Sequence, residues 1–292
     1  MMPKAILSPQ AEEDLSDIGA YTEKQWGKRQ RKKYIAQLIN KIKKLAKNPT
    51  NYIPMKGQIG SLLATNNLAI LLEIVIILVP VYFGYALITH IGGNSLRAGI
   101  FIGTPTVVIS IMLIHFSLWL RGDNWSEFGL NMPNSWLRTG LWSLGVIVTV
   151  SLSVVVVQNI ATQVFETKPL DTSRFEALRG NLPLLITAVL SIWISAAFGE
   201  EILVRGFLLN RFAEMLGESR LSWLFAVILS SVVFGLGHFF QGMTGVIVTS
   251  GVGIVYAIMY LLTGKNLWVT ILAHGILDTI GFVSIYAAQQ KS

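Results

Sequence analysis

The sequence predicts an all-α membrane protein, in which a small cytoplasmic helical hairpin precedes a bundle of about seven transmembrane helices. Of the 292 residues, 52% are hydrophobic and only 13% are charged, whereas a soluble domain carries about 25% charged residues. The apolar residues fall into long runs, most of them near the roughly 20 residues that a membrane crossing needs. Basic residues gather before the first run, in "GKRQRKK" and "KIKKLAK".

The composition excludes several classes of site. The net charge is +7 and there is no cysteine, so disulfides, thiol nucleophiles and thiolate metal sites are excluded. The basic cluster indicates a cytoplasmic flank that sets topology or meets anionic lipid, and not a nucleic-acid partner. The first 60 residues lack the apolar core of a secretory signal. We therefore expect a multi-pass cell-membrane protein in contact with the lipid bilayer, with its N-terminus in the cytoplasm.

Residues 1–55 are predicted to form the soluble basic hairpin, and residues 56–65 a linker to the membrane domain at 66–288. Ser8-Pro9 before a run of acidic residues is a helix-start signal. "WGKRQ" is the predicted loop between the two helices. Apolar residues follow at helical spacing: Leu15, Ile18, Tyr21 and Trp26 in the first helix, then Tyr34, Leu38, Ile42 and Leu45 in the second.

This hairpin resembles the opening of the ParE/RelE family of toxins, whose chains begin with a short strand and two helices. The resemblance covers residues 1–53, about the first half of such a domain. In that family the remaining half supplies the main β-sheet and most functional residues, whereas here the chain turns apolar. The resemblance implies a truncated toxin-like segment, as a relic, a fusion or a gene-boundary artefact. It also implies a remnant link to a toxin–antitoxin partner.

Apolar runs define the membrane domain. The fourth run is too long for one crossing of about 20 residues, and its last third is expected to continue as a helix into the cytoplasmic interface. No repeat of the transporter kind is visible. Glu73, near the cytoplasmic end of the first run, is expected to snorkel to the interface. The predicted spans are 66–91, 98–120, 141–161, 182–212, 223–240, 245–264 and 267–288.

Ionisable residues interrupt the last four spans. A charge at the middle of a bilayer costs on the order of 2.5–3.5 kcal/mol on insertion scales, so these side chains should face a protein interior or a water-filled cavity. They form three clusters: Glu200, Glu201 and Arg205 in "EEILVR", His238 in "FGLGH", and His274 and Asp278 in "HGILD".

The spacing within the clusters predicts their pairing. Glu201 and Arg205 are four residues apart, as are His274 and Asp278, so each pair shares a helix face. Glu200 points about 100° away from Glu201 and is free for another role. Gly235 and Gly237 before His238 should let another helix approach closely. Three helices could therefore converge on one polar pocket.

Such a pocket suits the activation of water for the hydrolysis of an amide within or beside the membrane. A glutamate in apolar surroundings can act as a general base, and a histidine can share the proton. A second histidine beside Asp278 can donate to a developing oxyanion. Alternatively, a divalent metal, Zn²⁺, could be held by two histidines and a glutamate, which would be Glu200, His238 and His274.

The three motifs resemble those of the CPBP family, also called the CAAX-protease and bacteriocin-processing or Abi family. Its marks are Glu-Glu-x-x-x-Arg, Phe-x-x-x-His and His-x-x-x-Asn/Asp on successive membrane helices. All three occur here in order, and the loop "NWSEFGLNMPNSW" at 124–136 is also similar, so the resemblance covers about residues 65–288. It implies an intramembrane endopeptidase, a hydrolase acting on peptide bonds.

The resemblance also implies roles for the six residues. Glu200 and His238 would activate the water, and Glu201 with Arg205 would order the site. His274 and Asp278 would stabilise the oxyanion. Asp278 stands where some members of the family carry asparagine, and a charged aspartate would orient His274 but oppose an oxyanion directly.

Two other functions stay open at this point. One is a non-catalytic membrane protein of the bacteriocin-immunity type, and the other is a proton-coupled transporter, because chains of Glu and His also relay protons. Taken singly, Glu201–Arg205 could be a structural ion pair and His238 a hydrogen bond between helices. The expected partner is a peptide or protein substrate in the membrane. The toxin-like N-terminus suggests a bacterium, where prenylated proteins are not expected, so a peptide precursor is the better candidate substrate.

Overall fold

The computed structural model describes residues 9–47, 63, 66–93 and 95–288. The chain divides into two compact units, residues 1–59 and 60–292. All regular secondary structure in the described ranges is helical, so the all-α prediction is confirmed. Ser8 and nearly all of the linker lie outside these ranges. The predicted domain boundaries at residues 55 and 65 therefore stay predictions.

The first unit is a helical hairpin made of α1 (Pro9–Trp26) and α2 (Lys28–Lys47). The predicted five-residue loop is wrong, because Gly27 alone separates the helices. Its φ of +84° lies in the left-handed region that glycine adopts without strain, and this lets the chain reverse in one residue. On α1 much of the predicted apolar stripe is solvent-exposed, with Tyr21 60% and Trp26 64% exposed. The side chains of Ile42 and Leu45 lie outside the described residues.

The second unit contains the predicted set of about seven apolar helices, each within a few residues of its expected position. Six helices in the described part of the chain are long and apolar enough to cross a membrane. The seventh, α7, has 17 residues and is shorter than the rest. The helices are α3 (Asn67–His90), α4 (Leu96–Arg121), α5 (Trp136–Gln163), α6 (Leu182–Met215), α7 (Arg220–Leu236), α8 (Gly242–Leu262) and α9 (Leu267–Ala287).

The long helix α6 runs for 34 residues without a break, as the sequence predicted for its last third. It is not α-helical throughout. Trp193–Glu200 and Ile202–Leu208 are wound as π-helix, so the two segments flank Glu201 on either side. A π-helical turn shifts the angular position of the side chains that follow it, and such turns are frequent at functional sites.

Close packing between α7 and α8 depends on Gly235. A Cβ atom at this position would lie 2.0 Å from Ser250 Oγ and 2.6 Å from the carbonyl oxygen of Val246. The predicted close approach is therefore confirmed for Gly235. It is wrong for Gly237, whose nearest neighbour is the carbonyl oxygen of Phe234 one turn earlier in the same segment.

Glu73 does not snorkel to the interface, and that prediction is wrong. It is only 7% exposed, its carboxylate lies 2.6 Å from Arg121 and 3.4 Å from Arg211, and it accepts a hydrogen bond from Ser117. Two guanidinium groups and a hydroxyl replace the water that the carboxylate would otherwise seek. The sequence shows no pairing of residues so far apart in the chain, so it does not predict this burial.

The ion pairs of Glu73 belong to a larger network. Arg121 also lies 2.7 Å from Glu214, and Arg211 lies 2.8 Å from both Glu214 and Asp123. Since Arg211 and Glu214 are on α6, the network joins α3 and α4 to the same helix that carries "EEILVR". It therefore fixes the position of α6 relative to the first two membrane helices.

Candidate active site

The three sequence motifs line one cavity of about 450 Å³. Glu200 enters it from α6, His238 from the segment after α7, and His274 and Asp278 from α9. Most of the remaining lining is apolar. The structure thus brings four of the six predicted site residues to a common space, and it places Glu201 and Arg205 in the protein interior behind them.

Glu201 and Arg205 form the buried support of the site. Both side chains are 0% exposed, and Arg205 Nη1 lies 2.9 Å from Glu201 Oε1. The same oxygen lies 2.9 Å from His274 Nδ1. The carboxylate therefore joins an arginine one turn away on α6 to a histidine on α9, so the predicted pair does more than hold its own helix.

Two aromatic rings enclose the Arg205 guanidinium. Its Cζ lies 4.4 Å from the ring centroid of Phe234 and 4.9 Å from that of Tyr256, in the range of cation–π contacts. A longer hydrogen bond of 3.4 Å runs to the carbonyl of Gly253. These contacts lock the guanidinium, and through it the carboxylate of Glu201.

Tyr256 is a site residue that the sequence analysis missed. Its ring also stacks on His274, with the ring centroids 5.5 Å apart and the planes inclined by 29°. In the apolar run "GIVYAIMY" a tyrosine is indistinguishable from a packing residue, so no sequence signal could have found it.

His274 is held in one orientation by the carboxylate of Glu201. A carboxylate can only accept, so Nδ1–H of His274 donates to Glu201 and Nε2 is directed away from it. Nε2 lies 3.5 Å from Asp278 Oδ2. This is too long for a good hydrogen bond but short enough for electrostatic attraction. The imidazole therefore sits between two carboxylates, one facing each ring nitrogen.

His238 lies beyond the end of α7, which stops at Leu236, so the predicted helical span to residue 240 is too long. Its Nδ1 lies 3.0 Å from the carbonyl oxygen of Phe234. Because a carbonyl only accepts, Nδ1 carries the hydrogen and Nε2 has a free lone pair. Phe234 thus orients His238 through its backbone and covers Arg205 with its ring, which explains the Phe-x-x-x-His spacing.

Glu200 contributes a carboxylate to the cavity. Its Oε2 is buried and makes no hydrogen bond to any group in the described part of the protein. A buried carboxylate oxygen without a partner is costly, and it marks a position where a water molecule or a substrate group would be bound. Glu201 Oε2 is also buried without a partner among the described residues, but Glu201 lies outside the cavity lining and Glu200 is part of it, as the rotation of about 100° between adjacent helical residues predicts.

The zinc site predicted at Glu200, His238 and His274 stays a prediction. Within the described ranges there is no group of three or more His, Cys, Asp or Glu side chains arranged to hold a metal ion. Nδ1 of His274 is hydrogen-bonded to Glu201 and Nδ1 of His238 to a backbone carbonyl, so Nε2 is the ring atom of each histidine that could bind a metal. The chemistry below is derived from the protein's own side chains.

Two family models match the chain, and both resemblances suspected from the sequence are confirmed. Residues 182–280 match the model described as Type II CAAX prenyl endopeptidase Rce1-like. Residues 5–76 match the ParE toxin of the type II toxin-antitoxin system parDE, a match that extends past the predicted residue 53 into α3. No curated protein and no solved structure matches the chain. The segment similar to the CAAX endopeptidases contains all six predicted site residues, and the match supports a multi-pass membrane endopeptidase.

Proposed function

We propose that this protein is an intramembrane endopeptidase that hydrolyses a peptide bond with a water molecule activated by Glu200 and His238. The observation that carries the proposal is the convergence of Glu200, His238, His274 and Asp278 on one cavity. The similarity of residues 182–280 to CAAX endopeptidases supports the same reaction class.

We assign water activation to Glu200 and His238, which both line the cavity and each have an acceptor atom without a hydrogen-bond partner among the described residues. The unpartnered Glu200 Oε2 accepts a proton from the water, and the water oxygen attacks the carbonyl carbon of the scissile bond. Nε2 of His238, whose lone pair is free, orients the water through its second hydrogen. Proton transfer by a positioned side chain contributes about 10²–10⁴-fold to such reactions.

Stabilisation of the tetrahedral intermediate falls to His274. With Glu201 at Nδ1 and Asp278 near Nε2, the ring is stabilised as an imidazolium, which has a second N–H to donate to the oxyanion. When the intermediate collapses, the carbon–nitrogen bond breaks and the leaving amine takes the proton held by Glu200. In this proposal Asp278 orients the imidazolium and stabilises its charge, and it does not contact the oxyanion.

Glu201 and Arg205 act as positioning residues in this account. They lie outside the cavity lining, and their charges fix the direction in which His274 presents its Nε2. Tyr256 supports the same imidazole by stacking on its face.

The substrate class we propose is a membrane-embedded or membrane-anchored peptide. The cavity lies among apolar helices, and residues such as Val81, Leu203 and Phe282 line it. Apolar side chains of a substrate would therefore be bound there, while the peptide group meets the polar wall.

The experiment is a comparison of new protein N-termini in membranes from cells that express the native chain, Glu200→Gln or Glu127→Gln. Glu127 is exposed and lies in a loop away from the cavity, so it is the matched control for loss of a carboxylate. We expect cleavage products with the native chain and the control, and none with Glu200→Gln. Identical profiles from three well-folded proteins would contradict the proposal.

The same variant separates the alternatives. An immunity protein that works by binding would protect cells equally well with Glu200→Gln, and a transporter would change its pH-dependent uptake. The zinc alternative stays a prediction, and a chelator tests it, because removal of a required metal would stop cleavage by the native protein.

A further inference from the structure

Arg174 is a cationic group in the cavity that the mechanism above does not use. It lies in the loop between α5 and α6, on the 3-10 helix Ser173–Leu178. Among the described residues that line the cavity, it is the only lysine or arginine. The carboxylates that share this lining are Glu200 and Asp278, and neither forms an ion pair with it within the described ranges.

The guanidinium of Arg174 is held in place by contacts with two residues, Phe240 and Gly99. Its Cζ lies 4.5 Å from the ring centroid of Phe240, a cation–π contact. On another side it meets Gly99, where a Cβ atom would come within 1.9 Å of Nη2. An aromatic face and the absence of a side chain thus hold the group in place, and its Nε is buried without a hydrogen-bond partner in the described part of the protein.

The loop that carries Arg174 is tied to the helices of the site. The backbone N–H of Asp171 donates to the carbonyl of Gln241 at 3.2 Å, and that of Gly180 donates to Tyr286 at 3.2 Å. Thr244 donates to the carbonyl of Lys168. The loop is therefore fixed to α8, to α9 and to the turn after His238, so Arg174 keeps its place relative to the reacting groups.

Arg174 lies close to His238, one of the two residues proposed to activate the water. The Phe240 ring centroid lies 5.8 Å from that of His238, so the guanidinium carbon lies within about 10 Å of the His238 ring. An extended chain advances roughly 3.3 Å per residue, so this distance corresponds to about three residues of a bound peptide.

We propose that Arg174 is a specificity residue that binds a substrate carboxylate within about three residues of the scissile bond. This inference rests on the proposed function. A planar guanidinium whose N–H groups make no hydrogen bond within the described ranges matches a carboxylate in geometry as well as charge. The carboxylate can come from a chain terminus or from an acidic side chain, since both present the same charged group to Arg174. Burial lowers the pKa of Arg174 below its usual value, yet arginine stays protonated in proteins.

Binding to the intact, catalytically inactive protein tests the inference without requiring cleavage. The probes are dodecanoyl-Leu-Leu-Leu as the free acid, the same peptide as its C-terminal amide, and dodecanoyl-Leu-Leu-Glu amide. Calorimetric titration in detergent is made on Glu200→Gln alone and combined with Arg174→Gln or Arg179→Gln. Arg179 follows in the same loop, outside the cavity lining, and is the matched control for loss of a positive charge.

We expect the free acid to bind at least about tenfold more tightly than the amide, because a hydrogen bond to a charged group typically shifts an equilibrium by this factor or more. Arg174→Gln should abolish the difference and Arg179→Gln should keep it. Tight binding of the Glu amide would assign the carboxylate to a side chain, and weak binding to the terminus. Gly99→Ala, which displaces the guanidinium but keeps its charge, should also reduce the preference.

Three results would overturn the inference. The first is that the free acid and the amide bind the Arg179→Gln control equally or not at all, and the second is that the preference for the acid survives Arg174→Gln. The third is that lysophosphatidic acid binds and the peptide acid does not. The last result would assign Arg174 to a lipid phosphate. A carboxylate preference in a protein that cleaves nothing would show that Arg174 binds a carboxylate, but it would contradict the proposed peptidase and with it the position relative to a scissile bond.

Discussion

At the scale of single residues, the members of the site differ in which of their polar atoms already have a hydrogen-bond or ion-pair partner. Inside the protein, Glu201 Oε1 lies against both Arg205 and Nδ1 of His274, whereas Glu201 Oε2 and Arg205 Nε have no hydrogen-bond partner within the described residues. Glu200 Oε2 and Nε2 of His238 are left for the cavity. The two adjacent glutamates therefore have different surroundings, because one has an arginine one turn away and the other does not. The spacing in "EEILVR" predicts this division, whereas the partner of Glu201 on α9 could not be read from it.

Arg205→Met alone should lower the stability of the protein more than Arg205→Met combined with Glu201→Gln. Arg205→Met leaves a carboxylate buried without its cation, which we expect to cost about 3–5 kcal/mol of unfolding free energy. Glu201→Gln combined with Arg205→Met removes both charges and should recover part of this loss. Chemical denaturation in detergent measures both. A double variant that is less stable than the single one would contradict a charge-balanced pair.

His238→Gln should lower kcat by about 10²–10⁴-fold with little change in KM, because the side chain acts on the water and not on substrate binding. The matched control is His115→Gln. His115 is exposed and accepts a hydrogen bond from Trp125 at 3.0 Å, away from the cavity lining. Steady-state cleavage of an identified substrate provides the measurement. Equal loss of activity in both variants would indicate a general effect of histidine replacement.

At the scale of helices, hydropathy predicts the spans well because a segment that crosses lipid must hydrogen-bond its backbone groups within its own helix and present apolar side chains to the lipid. The ends are less predictable: α5 runs to Gln163 and α7 stops at Leu236, since local caps and tertiary contacts decide them. The π-helical winding around Glu201 and the loop position of Arg174 also depend on packing between distant segments. A hydrophobic pattern carries no information on either.

Gly235→Ala should destabilise the protein by about 1–3 kcal/mol, the usual cost of overpacking, because its Cβ would collide with Ser250 and with a backbone carbonyl on α8. Gly140→Ala on α5 is the control, since a Cβ there meets nothing within 4 Å and alanine favours helix. Thermal unfolding in detergent compares the two. A larger loss of stability from Gly140→Ala would contradict the packing of α7 on α8.

At the scale of the whole molecule, a network of ion pairs and the candidate active-site cavity are built on the same long helix. Glu73, Arg121 and Arg211 hold one end of α6 against α3 and α4, and the residues from Glu200 to Arg205 lie further along it. The sequence predicts the all-α class, and the four-residue spacing predicts the pairing of Glu201 with Arg205. It does not predict the network, since its members come from separate spans whose proximity only the fold creates.

The topology can be tested directly, because the chain has no cysteine and single cysteines can be added. With a cytoplasmic N-terminus and seven crossings, Asn131→Cys should react only from the cytoplasmic side. Glu176→Cys and Ala288→Cys should react only from the opposite side. All three positions are exposed. Labelling of residue 288 from the cytoplasmic side would show that the shorter helix α7 does not cross the membrane.

The most direct test of the account is cleavage by purified protein in proteoliposomes, with a substrate identified from the N-terminal comparison and water enriched in ¹⁸O. We predict one ¹⁸O atom in the newly formed carboxyl group with the native protein and with Glu127→Gln, and no product with Glu200→Gln. Product formed at an unchanged rate by Glu200→Gln, or product that carries no ¹⁸O, would contradict hydrolysis by a water activated at Glu200.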